Sequence, residues 1–207
     1  MVDALALSRF SLVVHDYGGA IALPLALQAP ERIRRLVLLN TWMWSFEDDP
    51  SLRGGARLAG SWLGRLAYRY LNASLQLLMP RGYADRRRLT PELHRHYLAP
   101  FREPEARERV LWTLACSLLG SREYFQRLWQ ARSLLSSVPS LMVWGLADTL
   151  LPARLLERWR EALPHARFET FTGAGHWPHE ECPERVLELL DHFLPPCDAP
   201  RDKLLGA

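Results

Sequence analysis

Lysine is almost missing from this 207-residue chain: Lys203 is the only one, so arginine carries the basic charge. Cysteine is scarce too. Cys116, Cys182 and Cys197 are odd in number and fall at no metal-like spacing, which argues against a disulfide framework or a zinc site and suits a reducing cytoplasm. No apolar run approaches membrane-spanning length, and the opening residues do not read as a basic-then-apolar leader; neither a membrane nor an export signal is expected. Charge of one sign is lacking as well, with 26 basic against 23 acidic residues and a formal net charge of +3. Arg86-Arg87-Arg88 has no stacking-aromatic or zinc pattern around it and reads as a solvated helix face, so no nucleic-acid partner is expected. What remains, 48% hydrophobic and 24% charged residues, is the composition of an ordinary domain that can bury its own core.

The chain is organised around Leu12-Val13-Val14-His15-Asp16-Tyr17-Gly18-Gly19-Ala20. A short apolar, β-branched run predicts a buried strand over 11–15. Two glycines follow the His-Asp pair, and a helical pattern then runs to Ala29 before Pro30, with Pro24 inside it. Strand, turn and helix in so few residues demand a hard bend, which Gly18 and Gly19 are expected to permit by lacking side chains. Asp16 at the apex is either a presented nucleophile, the geometry of a nucleophile elbow with Asp in place of Ser, or the N-cap of a plain strand-to-helix turn. Before it, residues 2–7 read as the last turns of a helix.

Apolar runs at 35–40 and 140–145 and an alternating one at 167–171 predict further strands, with helices at 153–163 and 183–194 and a frayed tail over 198–207. Strands separated by helices argue for a parallel α/β sheet. Between Trp42 and Ser137 no strand appears. Helical periodicity at 60–79, 91–99, 104–119 and 122–134 instead predicts a helical insertion, giving a core of residues 1–41 and 138–207 and a cap of residues 42–137. Cys116 falls in an apolar helical stretch and is expected in the core; His15 is expected behind the site and His179 on the surface.

Asp148 and His176 follow the strands ending near Gly145 and Phe171, at the strand ends where ligands gather in open α/β sheets. Asp16, Asp148 and His176 then stand in the chain order nucleophile, acid, histidine. Val14-His15-Asp16-Tyr17-Gly18-Gly19, Pro30-Glu31-Arg32-Ile33, Trp144-Gly145-Leu146-Ala147-Asp148 and Gly175-His176-Trp177 resemble the haloalkane dehalogenase and epoxide hydrolase branch of the α/β-hydrolase superfamily, and the stretch from Trp42 resembles its cap. The resemblance implies a hydrolase in which Asp16 displaces halide from a haloalkane and His176, oriented by Asp148, activates water to cleave the alkyl ester. It implies no cofactor and no metal, and a small apolar halide or epoxide with water as the partners. Epoxide opening by the same covalent route is the alternative, a cap tyrosine (Tyr68, Tyr70, Tyr83, Tyr97 or Tyr124) then protonating the ring. A binding or remnant protein is the reading from another class.

Two departures from the family pattern bear on the site. Tyr17 stands where dehalogenases usually carry a halide-holding Trp, leaving the Tyr17 N–H as an oxyanion donor and Trp42, with Trp44 and Trp112 as further indoles, to meet the leaving group. The early strands and the His-Gly motif have no counterpart, so an N-terminally truncated sheet is expected, impaired in activity and open to self-association through its unpaired edge.

Overall fold

The computed structural model describes residue 2 and residues 4–194. Its centre is a parallel sheet in the order β1 (Phe10–Asp16), β2 (Ile33–Thr41), β3 (Ser140–Gly145) and β4 (Arg167–Phe171). The strand runs predicted from sequence are all present, β3 and β4 with the predicted bounds. Alternation along β2 and β3 sends side chains to two layers. Leu36, Leu38, Met142 and Trp144 join the cluster under α1 (Tyr17–Gln28), while Val37, Leu39, Leu141 and Val143 pack with Phe171, Val186 and Leu189 of the closing helix Pro183–Phe193. Each such fully buried aliphatic side chain contributes about 1.5–3 kcal/mol.

α1 contains Pro24, which cannot donate to the carbonyl of Ala20 one turn earlier. The Tyr124 hydroxyl, from the helix Arg122–Gln130, donates to that carbonyl instead. An unpaired acceptor inside the core is thereby avoided, and the proline is tolerated.

Every regular element between β2 and β3 is helical, and several differ from the periodicity. Pro50–Gly60 forms a helix, α2, that begins one turn after an apolar loop; its N-cap is Asp49, whose carboxylate accepts from Ser51 N–H at 3.0 Å and Leu52 N–H at 3.4 Å. The single helix expected over 60–79 is broken instead. α3 (Trp62–Leu71) stops where Asn72 turns left-handed (φ 48°), and a π-helical turn over Ser74–Leu78 follows. Residue 2 and residues 4–6 form turns rather than a helix end, and Asp3 and the tail from 198 lie outside the described residues, as does Cys197. Cys116 is half-buried against Gly60 rather than in the core. Arg86–Arg88 is an exposed turn, as its composition suggested.

Among the described residues, β1 pairs with β2 alone. Val13 is 49% exposed, and Ile21 and Leu25 on the neighbouring helix are exposed at 67% and 37%.

Candidate active site

Asp16 ends β1 and carries the strain of the bend itself. Its φ of 50° and ψ of −126° lie in a region that non-glycine residues rarely occupy, at a cost of about 1–3 kcal/mol. Thr41 Oγ holds the bend by donating to the Asp16 carbonyl at 2.5 Å. Of the two glycines, Gly19 is the one that must lack a side chain, because a Cβ there would lie 2.0 Å from Thr41 Oγ; a Cβ on Gly18 would make ordinary contact with Val14 at 3.7 Å. The Asp16 side chain makes no capping hydrogen bond to α1, so the N-cap alternative does not hold. It remains 37% exposed.

His176 sits in the loop after β4 and brings the other groups to Asp16. Its Nε2 lies 3.5 Å from Asp16 Oδ1, and its Nδ1 lies 2.7 Å from Asp148 Oδ2. The three residues singled out from sequence are therefore neighbours across three strand ends. Burial alone would lower the His176 pKa, but the bond to Asp148 and the attraction of Asp16 outweigh it and push the ring up to about 10. Asp16 is the converse case. Burial would raise its carboxyl, yet the hydrogen bond and charge of His176 hold it below the usual carboxylate range.

Asp148 is fully enclosed and fully satisfied. Oδ1 accepts from the N–H groups of Leu150 at 2.7 Å and Leu151 at 2.9 Å, and Oδ2 accepts from Asn40 Nδ2 at 2.7 Å besides His176. Asn40 also donates to the Gly145 carbonyl at 3.3 Å and accepts from its N–H at 2.9 Å. Sequence reading missed Asn40. It is an extra residue in the β1–β2 register, since His15 pairs with Leu39 and Asp16 with Thr41, and its φ of 28° turns the side chain across to β3. A polar residue ending an apolar strand at the ligand end of the sheet was the available signal.

The surroundings sort the remaining candidates. His15 lies behind the site as expected, its Nε2 2.7 Å from the His176 carbonyl; burial and the nearby charge of His176 hold its pKa down to about 3. His179 is half-buried rather than a surface residue. It stands edge-on to His15 with ring centroids 4.8 Å apart, and its Nδ1 is buried without a partner. The Tyr17 hydroxyl donates to the Leu114 carbonyl at 2.9 Å, so it faces away from the role of a free donor. Trp42 meets Tyr17 edge-on at 4.8 Å and is 1% exposed, and its Nε1 has no partner, as is also true of Trp44 and Trp112. Tyr70 is exposed, Tyr83 and Tyr97 both donate to Glu180, and Tyr124 serves Ala20. Tyr68 is buried and feels the charge of Asp16: burial chiefly, then Cys116 and Asp16, keep its phenol protonated above the ordinary range.

Among the described residues no group of three or more His, Cys, Asp or Glu side chains is arranged to hold a metal ion, and no helix is long and apolar enough to cross a membrane. The sequence is 32% identical over 200 residues to a cis-3-alkyl-4-alkyloxetan-2-one decarboxylase of Shewanella oneidensis, covering 94% of this chain and 63% of that protein. It is 27% identical to haloalkane dehalogenase 2 of Mycobacterium bovis, covering 91% of this chain and 65% of that one. The chain thus spans a little under two thirds of the length of these curated relatives. The crystal structure of a haloalkane dehalogenase from Bradyrhizobium elkani superposes with a TM-score of 0.78 at 22% identity, over 92% of this chain and 68% of that one, which speaks to the fold. A family model described as the alpha/beta hydrolase fold matches residues 1–183, and with the parallel sheet and the order of its strand-end residues this places the chain in the alpha/beta hydrolase fold family.

Proposed function

We propose that the protein is a hydrolase in which Asp16 attacks a saturated carbon of a small apolar substrate. The carbon–oxygen bond forms as the leaving group departs with its electron pair, giving an alkyl ester on Asp16; water deprotonated by His176 then adds to the ester carbonyl and releases the alcohol. The observation that carries this reading is the His176 ring between two carboxylates, 3.5 Å from Asp16 and 2.7 Å from Asp148. A carboxylate is the nucleophile this chemistry needs, because its ester can be hydrolysed whereas the ether formed by a serine could not.

The charges around His176 give the two steps their order. With Asp16 ionised, the ring is held protonated and cannot act as a base. Alkylation removes the Asp16 charge, the His176 pKa falls, and the ring becomes a base only once there is an ester to hydrolyse. Asp148 stays in place to stabilise the imidazolium that forms.

For the leaving group, halide is the first reading, with the buried, unpartnered Trp42 Nε1 as its donor. An oxygen leaving group in a strained ring is the second. Tyr68 favours it, being the one tyrosine of the helical stretch influenced by Asp16 and a protonated phenol suited to an alkoxide. An epoxide is such a ring, and so is the oxetan-2-one named for the Shewanella relative. The helical stretch 42–137 acts as the cap over the sheet in either case. The free thiols of Cys116 and Cys182 fit a cytoplasmic location.

The test is incubation with 1,2-dibromoethane, styrene oxide and a cis-3,4-dialkyloxetan-2-one in parallel. Bromide release supports the halide reading; the diol from the epoxide or the 3-hydroxy acid from the lactone supports ring opening with hydrolysis; carbon dioxide with an alkene shows that the ester on Asp16 is expelled without water; formation of none of these supports a binding or remnant protein. His176→Ala is expected to accumulate substrate mass on the peptide containing Asp16, and Asp16→Asn to lose at least about a thousandfold in turnover. Full turnover by Asp16→Asn overturns the mechanism.

A further inference from the structure

We propose that Glu181, a buried carboxylate with no role in the chemistry above, is the positioning residue that fixes the height of His176 over Asp16 by clamping the loop of His176 to the segment Arg81–Asp85. This rests on the reading of His176 as the base.

Glu181 is 3% exposed, and each of its oxygens serves a different piece of chain. Oε1 accepts from Gly175 N–H at 2.6 Å, immediately before His176, and Oε2 accepts from the N–H groups of Ala84 at 2.8 Å and Asp85 at 3.2 Å. The two pieces touch directly as well. His176 N–H donates to the Gly82 carbonyl at 2.7 Å, and the approach is so close that a Cβ on Gly175 would lie 2.0 Å from that carbonyl oxygen. Farther along the same segment, Tyr83 stacks on Trp177 with ring centroids 4.8 Å apart, and Thr149 donates to the Arg81 carbonyl at 2.9 Å. The backbone on both sides of the imidazole is therefore tied down, and Glu181 is the side chain that reaches both sides.

The chemistry of the clamp demands a carboxylate. All three partners are N–H donors, and only an ionised carboxyl presents acceptors in both directions. Glutamine at 181 would have to turn an amide NH2 toward Gly175 or toward Ala84 and Asp85, releasing one of the two pieces. Aspartate would keep the charge but fall one methylene short of spanning them. A displacement of about 1 Å in a catalytic group is enough to cost a hundredfold in rate, so a loosened loop shows up in the step that needs the base.

The discriminating experiment compares the full chain with Glu181→Gln, Glu181→Asp and, as a control, Glu184→Gln on the exposed face of the closing helix. Rapid-quench mass spectrometry with 1,2-dibromoethane separates alkylation of Asp16 from hydrolysis of the ester, and proton NMR follows the His176 Nδ1–H shared with Asp148. Expected are unchanged alkylation, hydrolysis slowed tenfold or more in Glu181→Gln and less in Glu181→Asp, and a broadened or lost Nδ1–H signal, with Glu184→Gln like wild type. Folded Glu181 variants that keep both the hydrolysis rate within twofold and the Nδ1–H signal overturn the proposal. Should Glu181→Gln fail to fold, Glu181→Asp decides by the same two criteria. If wild type forms no adduct with the probe, the hydrolase reading has failed for it, and the NMR comparison alone decides the role of Glu181.

Discussion

The two strand ends that converge on His176 are built in opposite ways. β3 is buried along its whole length, and the acid beyond it, Asp148, receives hydrogen bonds from Leu150, Leu151, Asn40 and His176. Among the described residues β1 pairs on one side only, and the acid at its tip, Asp16, sits on a strained backbone, partly open to solvent, at 3.5 Å from the same ring. One carboxylate is fixed and occupied and the other is strained and available. In the proposed mechanism identical functional groups take different tasks from their surroundings, the fixed one holding an imidazolium and the available one attacking carbon.

The largest break in this comparison is expected from deleting each carboxylate. Asp148→Ala strands buried donors on three sides of a protonated ring and is expected to cost about 3–5 kcal/mol in urea-melt stability. Asp16→Gly, which relieves an unfavourable φ while losing one long ion pair, is expected to stay within about 1 kcal/mol of wild type. Equal losses at the two positions would erase the distinction.

A hydroxyl sharpens the contrast between the strands themselves. Val143→Thr buries an unpaired O–H at a position with 0% exposure and is expected to lose about 1–3 kcal/mol, whereas Val13→Thr, at 49% exposure, should change stability by less than about 0.5 kcal/mol.

The last effect is spread over pH rather than set by one substitution. His15, at the β1 end, has its pKa held down to about 3, so the unfolded chain binds the extra proton first; its contribution is intact above pH 6.5 and is lost as pH falls toward 3. His176 has its pKa raised to about 10, so its contribution is intact below pH 6.5 and is lost as pH rises through 10. The slope from either group is at most about 1.4 kcal/mol per pH unit. Stability measured against pH should rise to a maximum near neutrality, and His15→Gln should flatten the acid side alone.

How much of this was legible beforehand depended on where each residue's partners lie. β3 and β4 were readable to the residue because an apolar run and a short alternating one each announce themselves locally. Asp16, Asp148 and His176 were readable because they follow three strand runs in the chain order nucleophile, acid, histidine. Asn40 was not, since its partners Gly145 and Asp148 are 105 and 108 residues away and nothing beside it in sequence hints at them. The break at Asn72 was hidden for a different reason: apolar periodicity continues through it, and a single left-handed residue leaves that spacing undisturbed. His179 looked like a surface residue because the ring it rests against, His15, belongs to the other end of the chain. The tyrosines of the helical stretch between β2 and β3 could be sorted only by their partners.

His15 and the carbonyl of His176 are 161 positions apart along the polypeptide, yet they share a hydrogen bond beneath the reacting groups. Contacts that close so long a loop form late, after local helices and neighbouring strands have already condensed. During refolding from urea, helical circular dichroism should therefore return ahead of the turnover proposed above, and a kinetic species with native helix content but no joined His15–His176 contact is the expected precursor of the finished molecule.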